Sequence, residues 1–216
     1  MNGFITYWSR EYITELERNG DTGPISVIFG SHHIRMPSIA KVKKGDIIYP
    51  VTVYEGNFYA MARLPVENIE CAFEYLIRVT GNYHRSIIPD NTAIIYGKGT
   101  EDEFAWLSDA RLIKKGQAMP SEITRVIEER ETDLPHKFHQ QPQTCCAALA
   151  ACGEGGSDIG RVLIPREYIP LMRFGARGKE KPLKTDKNGV PSIVSLSGFV
   201  RRMDGETFKI FEKLFQ

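Results

Sequence analysis

Residues 45–64 read GDIIYPVTVYEGNFYAMARL, and this stretch decides the fold class of the chain. Residues 47–54 are rich in β-branched and aromatic side chains, which favour a β-strand. The Glu55, Gly56 and Asn57 that follow are typical of a hairpin turn, because glycine and asparagine accept the backbone angles of a tight turn. Residues 58–64 predict the returning strand, so the whole stretch predicts an antiparallel β-hairpin.

Strands and helices alternate on both sides of this hairpin. Short apolar runs predict strands at residues 4–8, 25–29, 92–96, 104–107 and 192–200. Helical spacing of apolar residues predicts helices at residues 11–19, 66–79 and 143–152, and a last helix that begins after Asp204. Ser9 is the predicted N-cap of the first helix, and the glycine-rich residues 153–157 are predicted to end the third.

The order of these elements lacks a regular βαβ rhythm. It predicts an α+β fold, with a mixed, mostly antiparallel sheet or a partly open β-barrel and peripheral helices. A chain of 216 residues suits a single domain over residues 1–216. A division into residues 1–130 and 140–216 is the alternative.

The hairpin and its polar lead-in resemble the core of PUA-like barrels, including the ASCH, EVE and YTH families. The resemblance covers about 30 residues, 37–64, and its motif is Gly45-Asp46 before an apolar strand. Those families mostly bind RNA or modified bases, so the resemblance implies a nucleic-acid-binding module. It assigns no base pocket, because aromatic cage residues do not occur here at a defined spacing.

Positive charge is concentrated in residues 173–202, here called the basic tract. The tract holds eight basic and two acidic residues, a net charge of +6, whereas the whole chain carries +1 and the remainder therefore −5. Lysine and arginine around a strand can bind nucleic-acid phosphates, although exposed loops and sheet edges also carry such charges. The residues assigned to phosphate contact are Arg173, Arg177, Lys179, Lys181, Lys184, Arg201 and Arg202.

Two histidines and an arginine follow the strand predicted at residues 25–29. An imidazole of His32 or His33 can stack on a base or bind an anion, and Arg35 can bind phosphate through two parallel hydrogen bonds. These three residues are predicted to line the same nucleic-acid groove. A solvated loop is the alternative interpretation.

Histidines and cysteines between residues 136 and 152 suggest a zinc site. The predicted ligands are His136, His139, Cys146 and Cys152, because imidazole and thiolate are the ligands that zinc prefers. An intact helix over residues 143–152 would hold Cys145 and Cys152 about 10 Å apart, so the site requires that helix to break. Packed thiols are the simpler interpretation, and no cofactor other than zinc is expected.

The composition narrows the remaining classes of function. No apolar run approaches the roughly 20 residues of a membrane helix, and no signal-peptide pattern is present, so we expect a cytoplasmic protein without a membrane partner. The sequence contains no Gly-x-Ser-x-Gly, His-Glu-x-x-His or phosphate-loop motif. Adjacent Cys145 and Cys146 are poor disulfide partners and indicate thiols in a reducing compartment.

The leading interpretation is a non-catalytic intracellular binding module that contacts nucleic acid through the basic tract. The first alternative is an immunity or antitoxin-type protein. In that case the residues outside the basic tract, with their net charge of −5, cover a basic protein partner by charge complementarity. The second alternative is a cysteine-dependent or zinc-binding enzyme, with a thiol near a helix N-terminus and His136 or His139 as base.

Overall fold

The computed structural model describes much of the first and last thirds of the chain and short pieces between them. The described residues are 1–18, 20–31, 39, 41–71, 75, 94–95, 111–112, 148–196 and 200–216. The strands are β1 (Gly3–Tyr7), β2 (Val27–Ser31), β3 (Ile47–Tyr54), β4 (Asn57–Ala60), β5 (Leu64–Pro65), β6 (Asn68–Cys71), β7 (Ile94–Ile95), β8 (Arg111–Leu112), β9 (Ala148–Cys152), β10 (Val162–Leu163) and β11 (Val200–Arg202). The helices are α1 (Arg10–Arg18), α2 (Ile193–Leu196) and α3 (Gly205–Leu214), with a 3₁₀ helix at Arg166–Leu171. None of these described helices is long and apolar enough to cross a membrane.

The hairpin lies at the centre of a six-stranded sheet. The strand order is β10-β4-β3-β1-β11, and β5 also pairs with β3. Strand β1 runs parallel to β3, from Gly3 opposite Ile47 to Tyr7 opposite Val51, and the other pairs in this sheet are antiparallel. The predicted α+β class with a mixed, mostly antiparallel sheet is confirmed, and over the described strands the sheet is not closed into a barrel.

The returning strand of the hairpin is split into β4 and β5, with three residues between them. Pro50 of β3 explains the gap. Its carbonyl accepts a hydrogen bond from Met61 N at 2.8 Å, but a proline has no N–H on the same side to donate back. The gap is bridged instead by the C-terminal third of the chain, because Ser157 N donates to Arg63 O at 2.9 Å.

A second, three-stranded sheet replaces a predicted helix. Its order is β2-β9-β6, and both pairs are antiparallel. The helix predicted over residues 143–152 is therefore wrong at residues 148–152, while residues 143–147 lie outside the described part of the chain. Alanine favours helices, but Ala150 and Ala151 are fully buried in a strand that pairs on both edges, and this pairing outweighs the propensity.

The helix predicted over residues 66–79 is wrong in its first half. Residues 68–71 form β6, which pairs with β9 from Asn68 opposite Cys152 to Cys71 opposite Leu149. A short apolar run fits both periodicities, so the available partner strand decides the outcome. Tyr75 is helical, and residues 72–74 and 76–79 lie outside the described residues.

Two helix starts are confirmed and one predicted strand is wrong. Asp204 Oδ1 accepts from Thr207 N at 2.8 Å at the start of α3, and Ser9 Oγ accepts from Tyr12 N at 3.2 Å at the start of α1. The strand predicted over residues 192–200 begins only at residue 200, because residues 193–196 form α2. Serine side chains there favour local turns: the hydroxyl of Ser195 donates to the carbonyl of residue 192 at 2.7 Å.

Strands β7 and β8 form a separate two-stranded ladder, with Ile94 opposite Leu112. Strand β7 lies within the run predicted as a strand at residues 92–96. The strand predicted at residues 104–107 lies outside the described residues.

Both faces of the six-stranded sheet are covered. Successive residues of a strand point to opposite faces, so Phe4 and Ile48 join one core while Ile5, Ile47 and Tyr49 join the other. Helix α1 and the three-stranded sheet cover the first face. Helix α3, the 3₁₀ helix and the apolar residues of the basic tract cover the second face, which fixes the position of the tract on the molecule.

Candidate nucleic-acid interface

The basic tract begins with a loop over residues 174–181 that is closed by backbone hydrogen bonds and is here called the first turn. Phe174 and Lys181 exchange two backbone hydrogen bonds, of 2.8 and 2.9 Å. Gly178 has a φ of 76°, a left-handed conformation that glycine adopts without strain. Phe174 is buried and bridges to Met203 just beyond β11, so the first turn is anchored beside the edge strand of the sheet.

A second turn follows over residues 185–191. Thr185 and Pro191 form a backbone bridge, and Asp186 Oδ1 accepts from the amides of Asn188 at 2.8 Å and Val190 at 3.0 Å. Val190 is buried, which fixes the base of this turn to the core. Both turns are therefore defined by hydrogen bonds and anchored by apolar side chains.

Five basic side chains on and between these turns project into solvent and are here called the exposed cation set. Its members are Arg177, Lys179, Lys181, Lys184 and Lys187. Within the described part of the chain, none of the five forms an ion pair. The first four were assigned to phosphate contact from the sequence, and together with Lys187 they are exposed along one segment, residues 177–187.

Three arginines of the tract bond or pack internally. Arg173 Nη1 donates to the carbonyls of Pro170 at 2.6 Å and Met172 at 2.9 Å. Arg202 donates through Nε to Gly175 O at 3.3 Å, and its Nη2 pairs with Glu180. Arg201 is half-buried, and this burial lowers the pKa of its guanidinium.

These internal bonds have a consequence for the surface charge. The Glu180 carboxylate is neutralised by Arg202, so it does not compete for the neighbouring lysines. Arg202 thus bonds the backbone of the first turn at Gly175, and Arg173 bonds the end of the preceding 3₁₀ helix. Their geometry suits a positioning role better than direct contact with a ligand.

Several predicted site residues lie outside the described residues. These are His32, His33, Arg35, His136, His139 and Cys146. Cys152 is described: it is buried in β9, with its thiol 3.4 Å from Glu70 Oε1 and 3.8 Å from Asn68 O. Among the described residues no group of three or more His, Cys, Asp or Glu side chains is placed to hold a metal, and the zinc site stays a prediction.

Two clusters in the structure have no counterpart in the sequence analysis. The guanidinium carbon of Arg161 lies 3.9 Å from the ring centroid of Tyr54, and that of Arg10 lies 5.4 Å away. Arg161 also pairs with Glu17 of α1. The partners are far apart in sequence, so spacing gives no signal for this cation–π cluster.

The second cluster joins the hairpin to the C-terminal helix. Tyr49 Oη donates to Glu212 Oε1, and Arg63 Nε donates to the same oxygen at 2.9 Å. The aromatic rings of Phe211 and Phe215 pack on Tyr49, with centroids 5.1 and 5.6 Å away. This cluster fixes α3 on the face of the sheet that also carries the basic tract.

No protein-family model, curated protein or solved structure matches this chain. The functional proposal therefore depends on the surface chemistry and on the local resemblance of the hairpin.

Proposed function

We propose that this protein is a non-catalytic binding module that contacts nucleic acid through the phosphate backbone. The observation that carries the proposal is the exposed cation set on two hydrogen-bonded turns. Within the described residues these five side chains have no carboxylate partner, so an external polyanion can replace only water and counterions around them.

The charge distribution of the whole chain supports the same ligand. A net charge of +1 gives no general attraction for polyanions, but the tract carries +6 and the remainder −5. A polyanion is therefore attracted to one region and repelled by the average charge of the rest. This asymmetry orients the ligand on the tract before any short-range contact forms.

The resemblance of residues 37–64 to PUA-like barrels supports the proposal from a separate source. Members of those families mostly bind RNA or modified bases. From the sequence we further propose that His32, His33 and Arg35 contribute contacts to the ligand; these three residues lie outside the described residues.

The test is fluorescence anisotropy with labelled single- and double-stranded RNA and DNA over a salt series. Binding should weaken steeply as salt rises, because counterion release dominates phosphate contacts. The triple variant Arg177→Gln, Lys179→Gln, Lys181→Gln should bind every probe more weakly and reduce the logarithmic salt slope by about 3, or about 1 per phosphate contact.

The matched control carries Arg18→Gln, Lys209→Gln and Lys213→Gln. All three side chains are exposed on helices outside the tract and outside residues 37–64, so the loss of the same number of charges there should leave binding nearly unchanged. Arg201 and Arg202 are unsuitable for this test because they are half-buried and Arg202 has structural partners. Absence of binding at low salt, or equal losses in the triple variant and the control, would contradict the proposal.

A protein partner is the second candidate, and exposed apolar residues within the tract favour it. Ile193 and Val194 of α2 are 48% and 84% exposed. In this case Val194→Ser, which changes no charge, should abolish capture of a specific partner while leaving nucleic-acid binding intact. A partner captured equally by both forms would contradict the role of α2.

A further inference from the structure

The exposed stretch of the basic tract offers charge but no stacking surface. Residues 176–187 contain no Phe, Tyr, Trp or His. The tract has two phenylalanines: Phe174 is buried, and Phe199 lies outside the described residues. Proteins that hold single strands combine a basic groove with aromatic side chains on which bases stack, and this stretch lacks that second component.

The chemistry of the exposed cation set also disfavours base reading. Four of its five members are lysines, which act as hydrated point charges without the fixed fork of arginine. Base edges are read mainly by bidentate contacts, from Arg or Lys to guanine and from Asn or Gln to adenine, and the planar fork of arginine suits this geometry better than the flexible lysine ammonium. Arg177 is the one member of the set with such a fork.

The two turns hold the backbone that carries these charges. Backbone bonds between Phe174 and Lys181 close the first turn, Asp186 closes the second, and Arg202 and Glu180 tie the first to β11. Cations attached to a fixed backbone suit a ligand whose phosphates are also fixed. A duplex meets this condition, whereas a flexible single strand must lose conformational freedom on binding.

We infer that the ligand of this surface is the phosphate backbone of a double-stranded nucleic acid, bound without regard to base sequence. The inference rests on the proposed function and names its substrate class. Duplex DNA and duplex RNA share this chemistry.

The number of cations in the set predicts its share of the salt dependence. Five contacts contribute about −4.5 to the logarithmic salt slope on duplex DNA, at roughly 0.9 per contact. The expected affinity is that of sequence-independent binding, with a Kd on the order of 10⁻⁴ to 10⁻⁶ M at physiological salt.

The experiment compares, by anisotropy, labelled duplex DNA and duplex RNA of two unrelated sequences, each component single strand, and inorganic polyphosphate as competitor. At least one kind of duplex should bind about tenfold more tightly than its component strands, since the duplex loses less freedom. The two sequences should bind within about twofold of each other, because backbone contacts carry no sequence information. Polyphosphate should compete poorly at equal phosphate concentration.

The outcomes separate this inference from the proposed function. Tighter binding to single strands, a strong preference for one sequence, or equal competition by polyphosphate overturns the duplex inference while the basic tract remains the nucleic-acid site. Absence of binding to every probe overturns both. The triple variant at Arg177, Lys179 and Lys181 must lose duplex binding relative to the Arg18→Gln, Lys209→Gln, Lys213→Gln control, and loss in the control alone also overturns both.

Discussion

The hydroxyl of Tyr49 is buried, and the far end of the chain supplies its acceptor. Burial raises the pKa of Tyr49, and the hydrogen bond that its hydroxyl donates to the Glu212 carboxylate raises it further. Burial also opposes ionisation of Glu212, but hydrogen bonds from Arg63 and Tyr49 outweigh this effect and hold the pKa of Glu212 below its ordinary value. Glu212 is thus a charged acceptor that joins two donors of the hairpin region.

Replacing Glu212 with glutamine should destabilise the protein in a pH-dependent way. The amide can still accept from Tyr49, so the change removes mainly the charge and should cost about 1 kcal/mol at neutral pH. A depressed folded-state pKa stabilises the protein above the unfolded-state value of roughly 4.3. That stability is lost as pH falls through the folded-state pKa. Urea unfolding of both proteins from pH 7 to pH 3 should therefore show a difference that shrinks below about pH 4.

A matched control lies on the same helix. Glu206 of α3 is 78% exposed and pairs with Lys209 one turn away at 2.8 Å. An exposed pair of this kind contributes a few tenths of a kcal/mol, so Glu206→Gln should change stability little. A difference for Glu212→Gln that stays constant down to pH 3 would contradict the assigned role of the carboxylate.

At the residue scale, the sequence locates the charged tract but does not show which of its cations are exposed and which bond internally. The distribution of charge along the sequence identifies the +6 tract. It cannot tell that Arg173 caps the carbonyls of the preceding 3₁₀ helix, or that Arg202 pairs with Glu180 across 22 positions of the chain. Those roles depend on the turn that brings the side chains together.

Strand β9 shows how far elements depend on their partners. Four of its five residues are alanine or leucine, which favour a helix, yet it is the central strand of the three-stranded sheet. The segment after it, predicted only to end a helix, packs closely against neighbouring backbone. A Cβ at Gly156 would lie 1.7 Å from the carbonyl oxygen of Ile25.

Gly156→Ala should therefore destabilise the protein by about 2–3 kcal/mol, the upper range for overpacking, because backbone atoms must move. Gly160 is the matched control, since a Cβ there meets nothing within 4 Å. Gly160→Ala should be neutral or stabilise by about 0.4–1 kcal/mol through the unfolded state. Thermal and urea unfolding measure the stability of both variants, and equal effects of the two substitutions would contradict the close backbone contact as the cause.

Elements with local signals were predictable, and elements decided by distant partners were not. The hairpin turn and the Asp204 cap are set by residues within a few positions of each other. Strand β6, by contrast, needs β9, which lies about 80 residues further along the chain. Local periodicity carries no information on such a partner.

At the scale of the whole molecule, the C-terminal third completes both sheets. Strand β9 pairs with β2 and β6, β10 pairs with β4, and β11 pairs with β1. The sequence predicted the α+β class because this class depends on the presence of both strands and helices and not on which strands pair. It left open whether residues 1–130 and 140–216 share a core, since local sequence patterns do not show which distant strands pair.

This topology predicts that residues 1–130 and 140–216 do not fold as separate units. Among the described residues, each of the three named strands in the C-terminal fragment pairs only with strands of the other fragment. Each fragment alone would expose apolar faces and unpaired strand edges, which are costly in water. Separate fragments should show neither cooperative urea unfolding nor a native near-ultraviolet circular dichroism spectrum, whereas an equimolar mixture should recover both.

A mixture of residues 1–130 with residues 153–216, which lack β9, is the control and should recover less, because the three-stranded sheet loses its central strand. Cooperative unfolding of either fragment by itself would show that this fragment forms an independent core. Strand pairing between the two fragments would then not be required for stability.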